Sequence, residues 1–212
     1  LKMIHHQNEI AQSESATGKT FVNYWLHSAF LQIDGGRMGK SLGNAYRVED
    51  VIAKNYSPLA LRYLYMTSHY RSKLNFTWES LNSAQQSLRH LYELVSSYKE
   101  DKKAEISSTH FEQFTACVND DLNLPRALAV MWDLIKSDVN EASKLKTLSK
   151  FDTILGLNID NYIGFEIPDE VRNMVKMRLE YKKSGIWDKA DQLRKEIERL
   201  GFVLEDTALE TK

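Results

Sequence analysis

The chain of 212 residues is short of proline, glycine and cysteine, with 3, 9 and 1 of them respectively. So few breakers exclude a collagen-like or linker-dominated chain, and they favour helix. The lone Cys117 excludes an internal disulfide, and one thiol cannot form a zinc cluster by itself. The first residues also lack the charged-then-apolar pattern of a secretory signal. Together these absences predict a protein of the reducing cytoplasm.

The chain also lacks a long apolar run and an excess of either charge. The longest clear apolar run is residues 127–132, far short of the roughly 18 residues that a membrane span needs, so we expect no membrane contact. Lys and Arg total 28 and Asp and Glu 29, a formal net charge of −1. A strongly basic nucleic-acid-binding protein is excluded, and any contact with nucleic acid must come from local patches.

Apolar residues recur at helical spacing through four segments between about residues 77 and 156. This pattern predicts a helical bundle, with Thr77 as an N-cap, Asn123-Leu124-Pro125 opening another helix and Gly156 as a stop signal. Thr109 and Glu112 have the spacing of a capping box. The predicted fold class is mainly α.

Two further helical regions flank the bundle. Residues 3–17 predict a helix with Ile4, Ile10 and Ala11 facing inward. Pro168 opens a final pair of helices, of which the second runs from about Trp187 to Leu200. Residues 202–204 then form a short apolar stretch that suggests a strand.

A glycine-rich segment follows an apolar stretch that ends at Ile33. The pair Asp34-Gly35 favours a tight type I′ turn, and residues 36–44 then predict a loop with the cations Arg37 and Lys40. The segment nearly matches the P-loop pattern, but Asp34 occupies its first glycine position and Gly43 interrupts the helix that should follow. A P-loop nucleoside triphosphatase is therefore disfavoured. The loop fits either a mobile cover for a triphosphate or an ordinary surface hairpin.

Two other clusters could carry chemistry. His5 and Glu9 lie four residues apart, so one helix face would present an imidazole and a carboxylate, both good zinc ligands. Such a pair is also common on exposed helices. The stretch 172–199 holds nine basic and five acidic residues, which fits either a phosphate-backbone footprint with Trp187 to stack on bases or a solvated helix face.

Several motifs in order resemble those of cysteinyl-tRNA synthetases, which are class I aminoacyl-tRNA synthetases. Residues 5–14 resemble the family's His-His-Glu-Asn-Glu-Ile-Ala-Gln-Ser segment, and residues 37–44 its Lys-Met-Ser-Lys-Ser-Leu-Gly-Asn signature. Residues 61–63, 68–76, 121–128 and 190–207 also look like the family. The resemblance covers essentially the whole chain.

The resemblance implies a function and a set of site residues. It implies ATP-dependent activation of cysteine to cysteinyl-adenylate, with Mg²⁺, and transfer to tRNA(Cys). Lys40 would be catalytic, within an ATP-binding signature of five residues: Arg37, Met38, Gly39, Lys40 and Ser41. His5 and Glu9 would be two of the ligands of one zinc ion, which binds the substrate thiol in preference to a serine hydroxyl. The tRNA contacts would come from the last helices, at Arg172, Lys176, Lys182, Lys183, Trp187 and Arg194.

The chain departs from the family pattern at a few positions. Arg37 replaces a lysine, Gly39 a serine and Gln7 a glutamate. The family's upstream nucleotide-binding half, with its His-Ile-Gly-His signature and both zinc cysteines, is not in this sequence. We therefore expect the chain to be the C-terminal portion of a synthetase, inactive alone and partnered by that missing half.

These inferences give an expected organisation. Residues 1–76 complete the α/β catalytic domain and carry the signature loop, 77–160 form a tRNA-binding bundle, and 161–212 form a small helical or α+β domain that contacts the anticodon. We expect a monomer. Two alternatives stay open: a ligase that joins cysteine to a sugar amine, and a non-catalytic helical module that binds tRNA or a protein partner.

Overall fold

A computed structural model describes residues 2–202 and residue 204. The fold is mainly α with one small three-stranded sheet. The described residues form two compact units, which divide between residues 163 and 164. The stretches 1–76 and 77–160 both fall within the first unit. No helix among the described residues is long and apolar enough to cross a membrane.

The first unit begins with a short π-helix, Lys2–His6, that continues into α1 (Gln7–Thr17). No residue of α1 is buried. The expectation that Ile4, Ile10 and Ala11 pack inward is wrong, since Ile4 is 76% exposed and Ala11 is also exposed, while Ile10 is half-buried. Their spacing produces an apolar face, but burial also needs a partner surface.

A three-stranded sheet follows, made of β1 (Leu31–Ile33), β2 (Gly36–Arg37) and β3 (Leu74–Phe76) in the order β2-β1-β3. β1 pairs antiparallel with β2 and parallel with β3, with Leu31 opposite Leu74 and Ile33 opposite Phe76. Between β2 and β3 lie α2 (Val48–Ala53) and α3 (Pro58–Met66). Ile33 and Phe76 are buried in the same core as α3, so the sheet and the helices share one core.

Four helices form the predicted bundle: α4 (Trp78–Ser97), α5 (Ser108–Asn119), α6 (Leu124–Lys136) and α7 (Glu141–Leu155). Thr77 caps α4 by accepting from a backbone amide, as predicted, and Asn123 caps α6 in the same way at the predicted start of that helix. The predicted capping box at Thr109 is wrong, because the N-cap of α5 is Ser107, two residues earlier. The fully buried residues of the bundle include Leu81, Leu91, Phe114, Leu148 and Phe151.

Specific contacts pack the bundle helices together and join them to α3. The Phe114 and Phe151 rings stack with centroids 4.0 Å apart. Trp132 Nε1 donates to the Tyr63 hydroxyl at 2.9 Å, which joins α6 to α3. Gly156 ends α7 at φ +60°, and a side chain there would meet the Arg62 guanidinium at 2.9 Å. Arg62 uses that space to donate to the Leu155 carbonyl, so both the positive φ and this contact favour glycine at the helix end.

The second unit contains α8 (Asp169–Lys183) and α9 (Trp187–Arg199), which pack against each other. Pro168 precedes α8, as predicted. Val171, Ala190 and Ile197 are buried. The strand predicted at 202–204 includes Val203, which lies outside the described residues.

Candidate functional site

The β1–β2 hairpin presents the signature segment. Asp34 and Gly35 both have positive φ, +48° and +75°, as the predicted type I′ turn requires. The turn is also tied to the neighbouring strand, because the Gly35 amide donates to Asn75 Oδ1 at 2.7 Å. The tip of the hairpin is therefore held by its own dihedral angles and by β3.

The predicted loop at 36–44 is more ordered than expected. Residues 36–37 belong to β2, and Lys40–Leu42 form a single turn of 3₁₀-helix. Asn44 bridges the segment: its Oδ1 accepts from the Gly39 amide at 2.9 Å, and its Nδ2 donates to the Arg37 carbonyl at 3.0 Å. The sequence analysis gave Asn44 no role. An asparagine side chain nevertheless has both the donor and the acceptor needed to bridge two backbone groups of a nearby loop.

The five signature residues point to different surroundings. Met38 packs against the hydrophobic core, and Lys40 and Ser41 are exposed on the 3₁₀ turn. Arg37 lines an open cleft of about 640 Å³ together with Phe30, Gln32 and Lys73. Lys73 was not predicted, because it is 36 residues from Arg37 in sequence and joins it only through the parallel pairing of β1 with β3. The cleft thus presents two cations and an exposed aromatic ring.

The predicted histidine–glutamate pair is present on the first turns of the chain. His5 Nε2 lies 3.4 Å from Glu9 Oε1, and the side chains are 63% and 40% exposed. Two ligands about 2.1 Å from a tetrahedral ion lie about 3.4 Å apart, so the pair fits two of four zinc positions. Among residues 2–202 and 204, no group of three or more potential ligands is placed to hold a metal. The other positions would need ligands from elsewhere.

His6 supports the same carboxylate from its other side. His6 Nδ1 lies 2.9 Å from Glu9 Oε2, and the His6 ring packs 4.4 Å from Trp25 and 5.1 Å from His27. These three rings line a cavity of about 240 Å³. A hydrogen bond to the second oxygen of a carboxylate fixes the first oxygen for a metal. The sequence pattern predicted His5 and Glu9 but gave no role to His6.

The predicted tRNA-binding residues lie in the second unit. Arg172, Lys176 and Lys183 are exposed and fall on one stripe of α8, while Lys182 is half-buried about a quarter-turn away. On α9, Trp187 is 60% exposed, and Arg194 Nε pairs with Glu198 Oε1 at 3.0 Å. The unit therefore offers an exposed basic stripe and an exposed indole, without bringing all six residues to one surface.

Comparisons with known proteins agree along the chain. Residues 1–86 match the family model of the tRNA synthetases class I (C) catalytic domain, and residues 113–159 match the DALR domain. Cysteine–tRNA ligase 1 of Burkholderia lata is 40% identical over 207 residues, which cover 96% of this chain and 44% of that relative. The cysteine–tRNA ligase of Legionella pneumophila strain Corby is 37% identical over 222 residues, 100% of this chain and 48% of that relative. That of Acinetobacter baumannii strain AYE is 35% identical over 228 residues, 96% and 48% of the two chains. The chain spans about half the length of the curated relatives it matches.

Proposed function

Because this chain belongs to the cysteinyl-tRNA synthetase family, we propose that it acts within an enzyme that activates cysteine with ATP and transfers it to tRNA(Cys). The observation that carries the proposal is the similarity to cysteine–tRNA ligases along at least 96% of the chain, with the signature segment on an ordered hairpin. The chain would supply the signature hairpin, two metal ligands and a tRNA-contacting surface. The remaining parts of the site would come from the rest of such an enzyme.

The signature hairpin would stabilise the triphosphate during adenylate formation. In that step the cysteine carboxylate oxygen attacks the α-phosphorus of ATP, and the bond to the β-phosphate oxygen breaks to release pyrophosphate. Negative charge shifts toward the leaving pyrophosphate, and a lysine ammonium placed there lowers the barrier. Lys40 is exposed on a turn that Gly39 and Asn44 brace, so its ammonium is free to reach a phosphate. Arg37 supports ATP binding from the adjoining cleft.

His5 and Glu9 would hold a zinc ion together with ligands from the rest of the enzyme. When bound there, zinc supplies a thiophilic site that favours cysteine over serine. The donor spacing of 3.4 Å supports this assignment. His6 would orient Glu9 through its second oxygen.

The second unit would contact tRNA through the stripe of Arg172, Lys176 and Lys183, with Trp187 placed to stack on an unpaired base. The exposure of these side chains supports this role.

A reducing cytoplasm suits the proposed substrate, since cysteine must keep its thiol. Cys117 is itself a free, buried thiol.

The decisive experiment is cysteine-dependent exchange of pyrophosphate into ATP, measured on the intact enzyme that contains this chain. We expect exchange with cysteine and none with serine. Lys40→Ala should lower the exchange rate about 100- to 1,000-fold with little change in cysteine affinity. Lys150→Ala, an exposed lysine on α7, is the matched control and should leave the rate unchanged.

Two results would overturn the proposal. Absence of cysteine-dependent exchange in the intact enzyme would contradict the activity itself. Equal rates for Lys40→Ala and the parent would contradict the role given to the signature hairpin.

A further inference from the structure

A carboxylate on the bundle holds the segment between α3 and β3 in place. Asp121, in the turn between α5 and α6, accepts from the Tyr70 hydroxyl at 2.5 Å through Oδ1. The Arg71 guanidinium binds both oxygens, with Nη2 at 3.1 Å from Oδ1 and Nε at 2.7 Å from Oδ2. His69 Nε2 lies 3.0 Å from the Asp121 carbonyl oxygen. Three consecutive residues thus contact one residue that is 50 positions later in the chain.

The backbone that presents this carboxylate is strained. Asp121 and Leu122 both have φ +54°, a left-handed conformation that L-residues rarely adopt. Leu122 is 44% exposed, so burial of its side chain does not explain the strain. Strained conformations persist where the surrounding structure needs the geometry they produce. Here the strained turn places the Asp121 carboxylate in contact with Tyr70 and Arg71.

Residues 69–71 and Asp121, together called the clamp, are hydrogen-bonded to the segment that leads into the signature hairpin. The Tyr70 carbonyl accepts from the Ala29 amide at 2.7 Å, two residues before β1 begins. Ala29, Phe30, His69 and Tyr70 also line a cleft of about 320 Å³. Beyond this point, β1 leads directly through the turn at Asp34 into the signature residues. A chain of hydrogen bonds and one strand therefore runs from Asp121 to Arg37.

We propose that Asp121 is a positioning residue that fixes the signature hairpin relative to the bundle through Tyr70, Arg71 and Ala29. It acts through other residues and has no contact with the reacting atoms. The functional consequence rests on the proposed synthetase activity, whereas the structural coupling does not. The clamp would thus let the bundle determine where the signature cations lie when ATP binds.

Asp121→Asn tests the clamp, and the adjacent Asp120→Asn is its matched control. Asp120 is also exposed and also pairs with an arginine, with Oδ2 at 3.4 Å from Arg126 Nη1, but that pair stays within the bundle. In the intact enzyme, we expect Asp121→Asn to reduce kcat/KM for ATP by about 3- to 30-fold, mainly through KM, while KM for cysteine is unchanged. Hydrogen exchange at the Ala29 amide should accelerate in Asp121→Asn and not in Asp120→Asn.

A second variant keeps the test decisive if Asp121→Asn fails to fold. Tyr70→Phe keeps the ring and removes only the hydroxyl that donates to Asp121, and it should show the same selective change in KM for ATP. If both variants match Asp120→Asn in kinetics and in exchange at Ala29, the clamp is refuted. If the parent enzyme lacks cysteine-dependent activity, the proposed function fails, and hydrogen exchange at Ala29 still decides the structural coupling.

Discussion

The amino-terminal segment, residues 2–30, and the bundle of α4–α7 differ in the solvent exposure of their apolar side chains. Met3, Ile4, Tyr24 and Phe30 are 90%, 76%, 92% and 83% exposed. In the bundle, by contrast, Met131 and Phe151 are both 0% exposed. Apolar content therefore does not decide burial, which also requires a facing surface. Large exposed apolar side chains are a feature of interaction surfaces, and two of these residues, Met3 and Ile4, directly precede the proposed metal ligand His5 in the chain.

This contrast predicts that substitutions in the bundle change stability and that substitutions in the amino-terminal segment change binding. The largest stability effect is expected for Phe151→Ala, because it removes a fully buried ring stacked on Phe114. We expect a loss of about 3–5 kcal/mol in the free energy of unfolding, measured by urea denaturation. Ile154→Ala, on the same helix but 45% exposed, is the control, and an equal loss there would contradict the packing described.

Glu9→Ala tests the amino-terminal segment, where we expect a substitution to change binding and not stability. We expect the intact enzyme to lose zinc affinity by about tenfold or more, because loss of even an outer-shell partner costs that much. The unfolding free energy of the zinc-free enzyme should change by less than about 0.5 kcal/mol, because the side chain is partly exposed. Zinc content after dialysis measures the first quantity and urea denaturation the second. Glu14→Ala, another carboxylate of α1, should retain zinc. Full zinc content in Glu9→Ala would show that Glu9 is not a ligand.

The clamp that links the bundle to the signature hairpin should depend on pH. Hydrogen bonds from Tyr70 first, and then from Arg71, hold the pKa of the Asp121 carboxyl below its usual value, with a smaller contribution from His69. A lowered folded-state pKa gives stability that is complete above the unfolded pKa of about 3.9 and is lost as pH falls through the folded value.

The difference in stability between the parent and Asp121→Asn should therefore still be present at pH 5 and shrink as the pH falls below about 4. Denaturation curves of both proteins across this range measure it. A difference that persists unchanged to the lowest pH at which both proteins fold would mean that the carboxylate charge is not what holds Tyr70 and Arg71.

The smallest effect is expected at the exposed apolar residues of the amino-terminal segment. Ile4→Ser should change the unfolding free energy of this chain by less than about 0.5 kcal/mol, because the side chain is 76% exposed. Denaturation of the chain with and without the substitution checks this. A loss comparable to that of a buried isoleucine would mean that the segment packs against the unit in solution, and the contrast with the bundle would fail.

Much of the fold was predictable because its signals are local. Thr77, Asn123 and Gly156 set helix ends through dihedral preference and nearby hydrogen bonds, and the turn at Asp34 follows from the two central residues alone. The error at Ile4 arose because periodicity identifies a face without its partner. In the candidate site, the His5–Glu9 pair was predictable because a spacing of four residues lies within one helix turn.

Local sequence signals were enough to identify the long helices, the ends of those bounded by Thr77, Asn123 and Gly156, and one short glycine-rich, cationic segment. These features depend on interactions between residues a few positions apart. The approach of Lys73 to Arg37 across the sheet and the contact of Asp121 with Tyr70 became visible only in the folded chain. Those approaches depend on strand register and on the packing of helices far apart in the chain. No local dihedral preference specifies them, because they arise only when the hydrophobic core forms.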